Sequence, residues 1–88
     1  MRHAIICTDK PGHLSVRQAN RDAHVAYLKE TGVEMAGPFL DRAGDMCGSL
    51  VVIEAADRAA AEAWAADDPY ARAGLFSDVR IEAWNKVI

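Results

Sequence analysis

The sequence predicts an α+β fold of the ferredoxin-like kind: a four-stranded antiparallel sheet with two helices on one of its faces. Three observations predict it. Four segments are short, apolar and bounded by turn residues; two others carry apolar side chains at helical spacing; and the six follow one another as βαββαβ, the split-βαβ order. With 88 residues the chain has room for one domain, residues 1–88, and for no second core.

The first strand runs from His3 to Asp9 around Ile5, Ile6 and Cys7 and closes at Lys10-Pro11-Gly12, a turn-forming triplet. A helix is expected from Val16 to Thr31. Val16, Ala19, Ala23, Ala26 and Tyr27 share one stripe, Ser15 is the candidate N-cap, and Gly32 stands at the C-cap. Val33 to Leu40 reads as the second strand, and Gly37-Pro38 inside it demands an edge or a bulge, because proline has no N–H for the ladder. Asp41 to Asp45 makes a turn.

Met46 to Glu54 is the third strand. Leu50, Val51, Val52 and Ile53 in succession make it apolar on both faces, so both faces should be covered. Asp57 caps an alanine-rich second helix through Ala59, Ala60, Ala63, Trp64 and Ala66, which must stop at Asp67-Asp68-Pro69. Pro69 to Ala73 is a short helical turn closed by Gly74. The last strand, Val79 to Val87, alternates Val79, Ile81, Ala83 and Val87 against Arg80, Glu82, Trp84 and Lys86.

With both helices on one face, the other carries Trp84 with either Leu50 and Val52 or Val51 and Ile53, too much apolar surface to leave in water. The hydrophobic content of 51% includes 17 alanines, so the larger apolar side chains make a thin core. A homodimer with two such sheets face to face is therefore expected. The balance of 10 Lys+Arg against 13 Asp+Glu, a formal charge of −3, leaves no basic face for nucleic acid or an anionic membrane. No apolar run approaches the roughly 20 residues that span a bilayer, and Met1-Arg2-His3 leads into no signal-peptide core. The expected location is the cytoplasm, where Cys7 and Cys47, without a CxxC spacing, read as small buried hydrophobes.

His24 lies about 80° from Val16 on the helical wheel, at the edge of the apolar stripe beside Arg17 and Asn20. Histidine titrates nearest neutrality, which suits it to carry protons; a helix-edge histidine making one structural hydrogen bond is the plainer alternative. Asp68, directly before Pro69, is an N-cap by position. If it also met His24, it would fix the imidazole tautomer and stabilise an imidazolium, the orienting role of a carboxylate in a catalytic triad. Arg17 and Arg21, four apart, repel unless an anion or carboxylate lies between them. His3, His13, Cys7 and Asp9 lack ligand spacing, so no metal is expected. Ser49 lacks a GxSxG setting and reads as a strand hydroxyl, and Gly37, Gly44, Gly48 and Gly74 form no phosphate loop.

These motifs taken together resemble the YCII-related (YciI-like) family over the whole chain. The likeness rests on Arg17-x-x-x-Arg21-x-x-His24-x-x-x-Leu28, Ala36-Gly37-Pro38 and Gly48-Ser49. It rests further on Trp64-Ala65-Ala66-Asp67-Asp68-Pro69-Tyr70-x-x-Ala73-Gly74-Leu75 and on the ending Trp84-Asn85-Lys86-Val87. The resemblance implies a dimeric α+β barrel and an active site containing His24 and Asp68. Some members of the family eliminate chloride from chlorinated hydroxyquinols, and related barrel families include muconolactone isomerases and cofactor-free monooxygenases.

The expected function is then a small enzyme with no metal or organic cofactor, acting by proton abstraction, elimination or isomerisation on a small cyclic or aromatic oxygenated substrate. His24 would be the general base or acid, Asp68 its orienting carboxylate, and Arg17 or Arg21 the anchor for an anionic group. Pro38, Phe39, Ser49 and Tyr70 would line the pocket. The rivals are a non-catalytic module of the same fold that binds a small metabolite or a partner, and a cofactor-free oxygenase.

Overall fold

Alternation along the first strand decides how the molecule is layered. In the computed structural model, which describes residues 1–88, β1 (Arg2–Asp9) buries His3, Ile5 and Cys7 on one face and turns Ala4, Ile6 and Thr8 to the other. Two helical segments, α1 (Leu14–Ala19) and α2 (Arg21–Thr31), follow, then the strands β2 (Met35–Leu40) and β3 (Met46–Glu54). The chain continues through α3 (Arg58–Asp67) and the single turn α4 (Pro69–Arg72) into β4 (Phe76–Ala83). The four strands form one sheet in the order β2-β3-β1-β4, antiparallel throughout. This is the ferredoxin-type α+β arrangement.

Pairing register assigns every strand residue to a face. His3, Ile5 and Cys7 sit opposite Ile53, Val51 and Ser49 on β3 and opposite Ala83, Ile81 and Val79 on β4. Val51 and Ser49 in turn face Ala36 and Pro38 on β2. These residues look toward the helices, and Ile5, Cys7, Val51, Ile53 and Ile81 pack with Ala61 and Ala65 of α3 as the core. The other face carries Ala4, Ile6, Leu50, Val52, Met35 and Phe39, with Asp78, Arg80 and Glu82 along β4. No helix covers it.

Several expected features hold. Asp57 caps α3 by accepting from the Ala60 amide at 2.9 Å. Gly32 ends α2 in the left-handed region, its amide bonded to the Leu28 carbonyl at 3.1 Å, and Gly37-Pro38 lies on an edge strand. Gly48 is required where β3 meets β1, since a Cβ there would lie 2.4 Å from the Cys7 carbonyl oxygen. The buried Ser49 follows it.

The first helix departs from expectation in three ways. It begins at Leu14 rather than after Ser15, because the Arg17 amide already bonds the His13 carbonyl at 3.1 Å. It breaks at Asn20, whose side-chain amide donates to the Val16 carbonyl at 2.8 Å and competes with the helical ladder. Its inward face is also not the alanine stripe: Ala19, Ala23 and Ala26 are exposed, while Arg17 and His24 are buried. The inward face is polar because it borders a cleft rather than the apolar core.

The second strand starts two residues later than expected, since the Val33 amide closes α2 on the Leu28 carbonyl. The last strand spans Phe76–Ala83 rather than Val79 to Val87. Its length is set by β1, which runs out at Arg2, whose carbonyl takes the Trp84 amide at 2.9 Å. Trp84 thus lies just past the strand, at the corner of the uncovered face beside Arg2 and Glu54.

Candidate functional site

The polar inward face of α1 and α2 and the outer half of the sheet enclose a cleft of about 200 Å³. The helices supply Arg17, Arg21, His24, Val25 and Leu28; β2 supplies Ala36, Gly37 and Pro38; β3 supplies Met46 and Ser49; and α4 supplies Tyr70. A larger hollow of about 300 Å³ between α3, α4 and β4 is lined mostly by alanine and aliphatic side chains. Its Arg58–Glu62 pair is solvent-exposed, so the convergent polar groups belong to the smaller cleft.

Behind the cleft lining, His24 meets Asp68, far away in sequence, at 2.7 Å between Nδ1 and a carboxylate oxygen. Local rules explain the position of Asp68: Pro69 starts α4, and Asp68 caps it by accepting the Tyr70 amide at 3.0 Å through that same oxygen. Both side chains are almost fully buried. An ionised carboxylate only accepts, so the hydrogen of the neutral imidazole resides on Nδ1 and Nε2 keeps its lone pair. Every fully buried polar side-chain atom has a partner. Nε2, which has no partner within the chain, is therefore not fully buried, on a side chain that lines the cleft.

The His24 ring stacks on the Tyr70 ring, centroids 3.9 Å apart and planes 14° from parallel, and the Arg17 guanidinium carbon lies 4.7 Å from the Tyr70 centroid. Burial holds the Tyr70 phenol above its usual range, against the opposing pull of the Arg17 and Arg21 charges. Arg17 is itself only 2% exposed. Asp9 at the end of β1, two residues past Cys7 and so on the helix side of the sheet, takes its Nε and Nη2 at 2.7 and 2.8 Å, and Nη2 also donates to Ser49 Oγ at 2.9 Å. Burial alone would lower the Arg17 pKa, but the hydrogen bonds and charge of Asp9 outweigh it and raise it. Four of the five buried polar residues, Arg17, His24, Ser49 and Asp68, line this cleft or hold its base.

Most of the expected site residues converge here, with two qualifications. Phe39 does not line the cleft. It pairs with Gly48 on the opposite face of the sheet and is 42% exposed, because successive strand residues point to opposite sides and Pro38 already faces inward. Arg17 is matched by Asp9 within the protein, so Arg21, exposed at the rim with no carboxylate partner, is the cation left for an anionic group. Sequence reasoning treated Asp9 only as a weak metal ligand and missed its pairing with Arg17; the parity of β1 was the available signal. No three His, Cys, Asp or Glu side chains converge to ligate a metal ion.

The chain and its fold have recognisable relatives among known proteins. The chain is 37% identical to a Haemophilus influenzae protein and 35% identical to protein YciI of Escherichia coli, each alignment covering 99% of both chains. Its structure superposes with a TM-score of 0.88 and 34% identity on 5-chloro-2-hydroxyhydroquinone dehydrochlorinase (TftG) from Burkholderia phenoliruptrix, solved with 2,5-dihydroxybenzoquinone, over 97% of this chain and 94% of that one. An antibiotic biosynthesis monooxygenase, 18% identical with a TM-score of 0.61 and full coverage of both chains, shares the fold. The YCII-related domain matches residues 1–85, nearly the full length that builds the sheet and cleft, and the chain belongs to that family.

Proposed function

We propose that the chain is a cofactor-free acid–base enzyme that moves a proton on a small cyclic, oxygenated substrate. One observation carries this reading: a buried imidazole, held at Nδ1 by Asp68, on a side chain that lines a ring-sized cleft. In that geometry Nε2 takes a proton from an acidic O–H or C–H of the substrate, and Asp68 stabilises the imidazolium so formed. Reversing the transfer gives isomerisation, and departure of a leaving group from the resulting anion gives elimination. Arg21 at the rim draws in anionic substrates, and Leu28, Val25 and Pro38 cover the apolar edge of the ring. Likeness to a dehydrochlorinase of a chlorinated hydroxyhydroquinone favours hydroxylated rings as the substrate class.

The working form in this reading is a homodimer in the cytoplasm, two uncovered sheet faces packed together. Turnover of chlorinated hydroxyquinols, followed as chloride release, tests the reading. His24→Ala should lower kcat/KM by at least about 100-fold, the lower end of what a positioned acid–base group contributes. Asp68→Asn, which removes the pure acceptor, should lower kcat. Wild-type rates in a folded His24→Ala protein would exclude the role given to His24.

A further inference from the structure

The outer strands of a sheet carry backbone groups without a ladder partner, and proteins cover or charge such margins to keep other strands away. Here β4 is one margin, eight residues long. The Trp84 amide bonds the Arg2 carbonyl across the sheet. By the two-residue alternation of an antiparallel pair, Asp78, Arg80 and Glu82 then turn their N–H and C=O groups to β1, while Val79, Ile81 and Ala83 turn theirs to the open side. The central one of these outward carbonyls is not left to solvent. Arg58, at the start of α3, donates to the Ile81 carbonyl through Nη1 at 2.8 Å, and Glu62, one helical turn further on, holds its Nε at 2.9 Å. The hollow of about 300 Å³ between α3, α4 and β4 lies along the same margin, on the helix side, and is lined by Ala65, Ala66, Ala71, Val79 and Ile81. Val79 remains 39% exposed although it faces the helices. A strand laid along β4 would find backbone partners at the margin and room for its alternate apolar side chains in that hollow.

We propose that the β4 margin is a strand-pairing surface for β4 of a second copy of this chain, and that Arg58 is the latch that keeps it closed. Charge selects the partner. Two β4 strands paired antiparallel about a twofold axis at Ile81 set Arg80 of each copy opposite Glu82 of the other, and Val79 opposite Ala83 beside the alanine hollow. Opposite charges across a strand pair are favourable and like charges are not. An axis at Arg80 would oppose Arg80 to Arg80 and Asp78 to Glu82, and an axis at Val79 would leave Glu82 without an opposite charge. In the register centred on Ile81 the two central ladder bonds run between the Ile81 residues, and they need the same carbonyl that Arg58 occupies in each copy. The guanidinium therefore has to leave before the strands can pair. The contact is isologous, so a particle with one such margin stops at a pair, and a particle that already presents two margins keeps growing. The surface shares no residue with the lining of the His24 cleft, and it stands apart from the acid–base reading.

The test is light scattering of the full chain over a range of protein concentration. Arg58→Ala should raise the particle mass to at least about twice that of the wild type. Arg58→Gln, which also removes the charged latch and keeps good helix propensity, should do the same, so the outcome does not hang on the folding of one variant. Adding Glu82→Arg to Arg58→Ala sets arginines opposite each other and should return the mass to the wild-type value. Adding Arg80→Glu as a third change restores opposite charges and should restore the larger particle. Matching circular dichroism and melting curves show that the variants are folded. The proposal is overturned if Arg58→Ala and Arg58→Gln keep the wild-type mass, if the wild type already associates to the same extent, or if the larger particle ignores the Glu82→Arg change.

Discussion

At the scale of single residues, one carboxylate oxygen performs two tasks. Asp68 accepts the Tyr70 amide as a helix cap and also bonds the His24 ring, so the oxygen that starts α4 also holds the imidazole in place. The cap was legible from Asp68-Pro69 alone; the meeting with His24 was not, because the two stand 44 positions apart and only the tertiary fold brings them together. Cys7 lies beneath this network and illustrates its electrostatics. Burial, with the Asp68 charge adding and that of Arg17 opposing, pushes its thiol up from an ordinary value of 9.0 to about 12. The folded thiol therefore keeps its proton between about pH 9 and 12 where the unfolded one loses it. Its contribution to stability is fully present below about pH 9 and declines as pH rises toward 12. Urea denaturation across pH 8 to 10.5 should show an alkaline decline that Cys7→Ala makes shallower; identical slopes would contradict the burial argument.

Among the elements, strands were easier to read than the faces of helices. The third strand and the caps of the second helix follow from local chemistry, and the edge position of β2 follows from Pro38. The last strand slipped toward the N-terminus because its length is decided by pairing with β1, a tertiary fact. The first helix misled because hydropathy marks the apolar stripe, whereas this helix turns Arg17 and His24 inward and Ala19, Ala23 and Ala26 outward. A polar inward face is the signature of a site, and it defeats a rule that equates burial with hydrophobicity. Alternation alone could have separated Pro38 from Phe39. The close approach of β3 to β1 supplies a prediction at this scale. Gly48→Ala should lose about 1–3 kcal/mol, the usual range for overpacking, because its methyl would meet the Cys7 carbonyl oxygen rather than a yielding side chain. A urea midpoint equal to that of the wild type would show that the strands separate without cost.

For the molecule as a whole, the apolar residues are divided between a core and an uncovered face. Ten hydrophobic residues are buried, among them small Ala61 and Ala65, while the volume under α1 and α2 is given to the polar cleft. Leu50, Ile6, Met35 and Phe39 line the opposite side of the sheet, flanked by Asp78, Arg80 and Glu82. Packing two such faces together would complete a second core and bring β2, whose residues are all exposed in the single chain, into contact. Light scattering at micromolar concentration should then give twice the chain mass of 9.6 kDa, and Leu50→Glu should shift it toward the monomer. A wild-type protein that scatters as a monomer would contradict the shared core.

In the proposed site Asp68 holds the neutral His24 imidazole with its hydrogen on Nδ1, leaving Nε2 free to take a proton in the cleft. Long-range proton–nitrogen NMR correlations of the imidazole ring read that tautomer directly. A protonated Nδ1 and an unprotonated Nε2 are expected in the wild-type protein, with the preference weakened in Asp68→Asn. A hydrogen on Nε2 of the neutral ring in the wild type would contradict that arrangement.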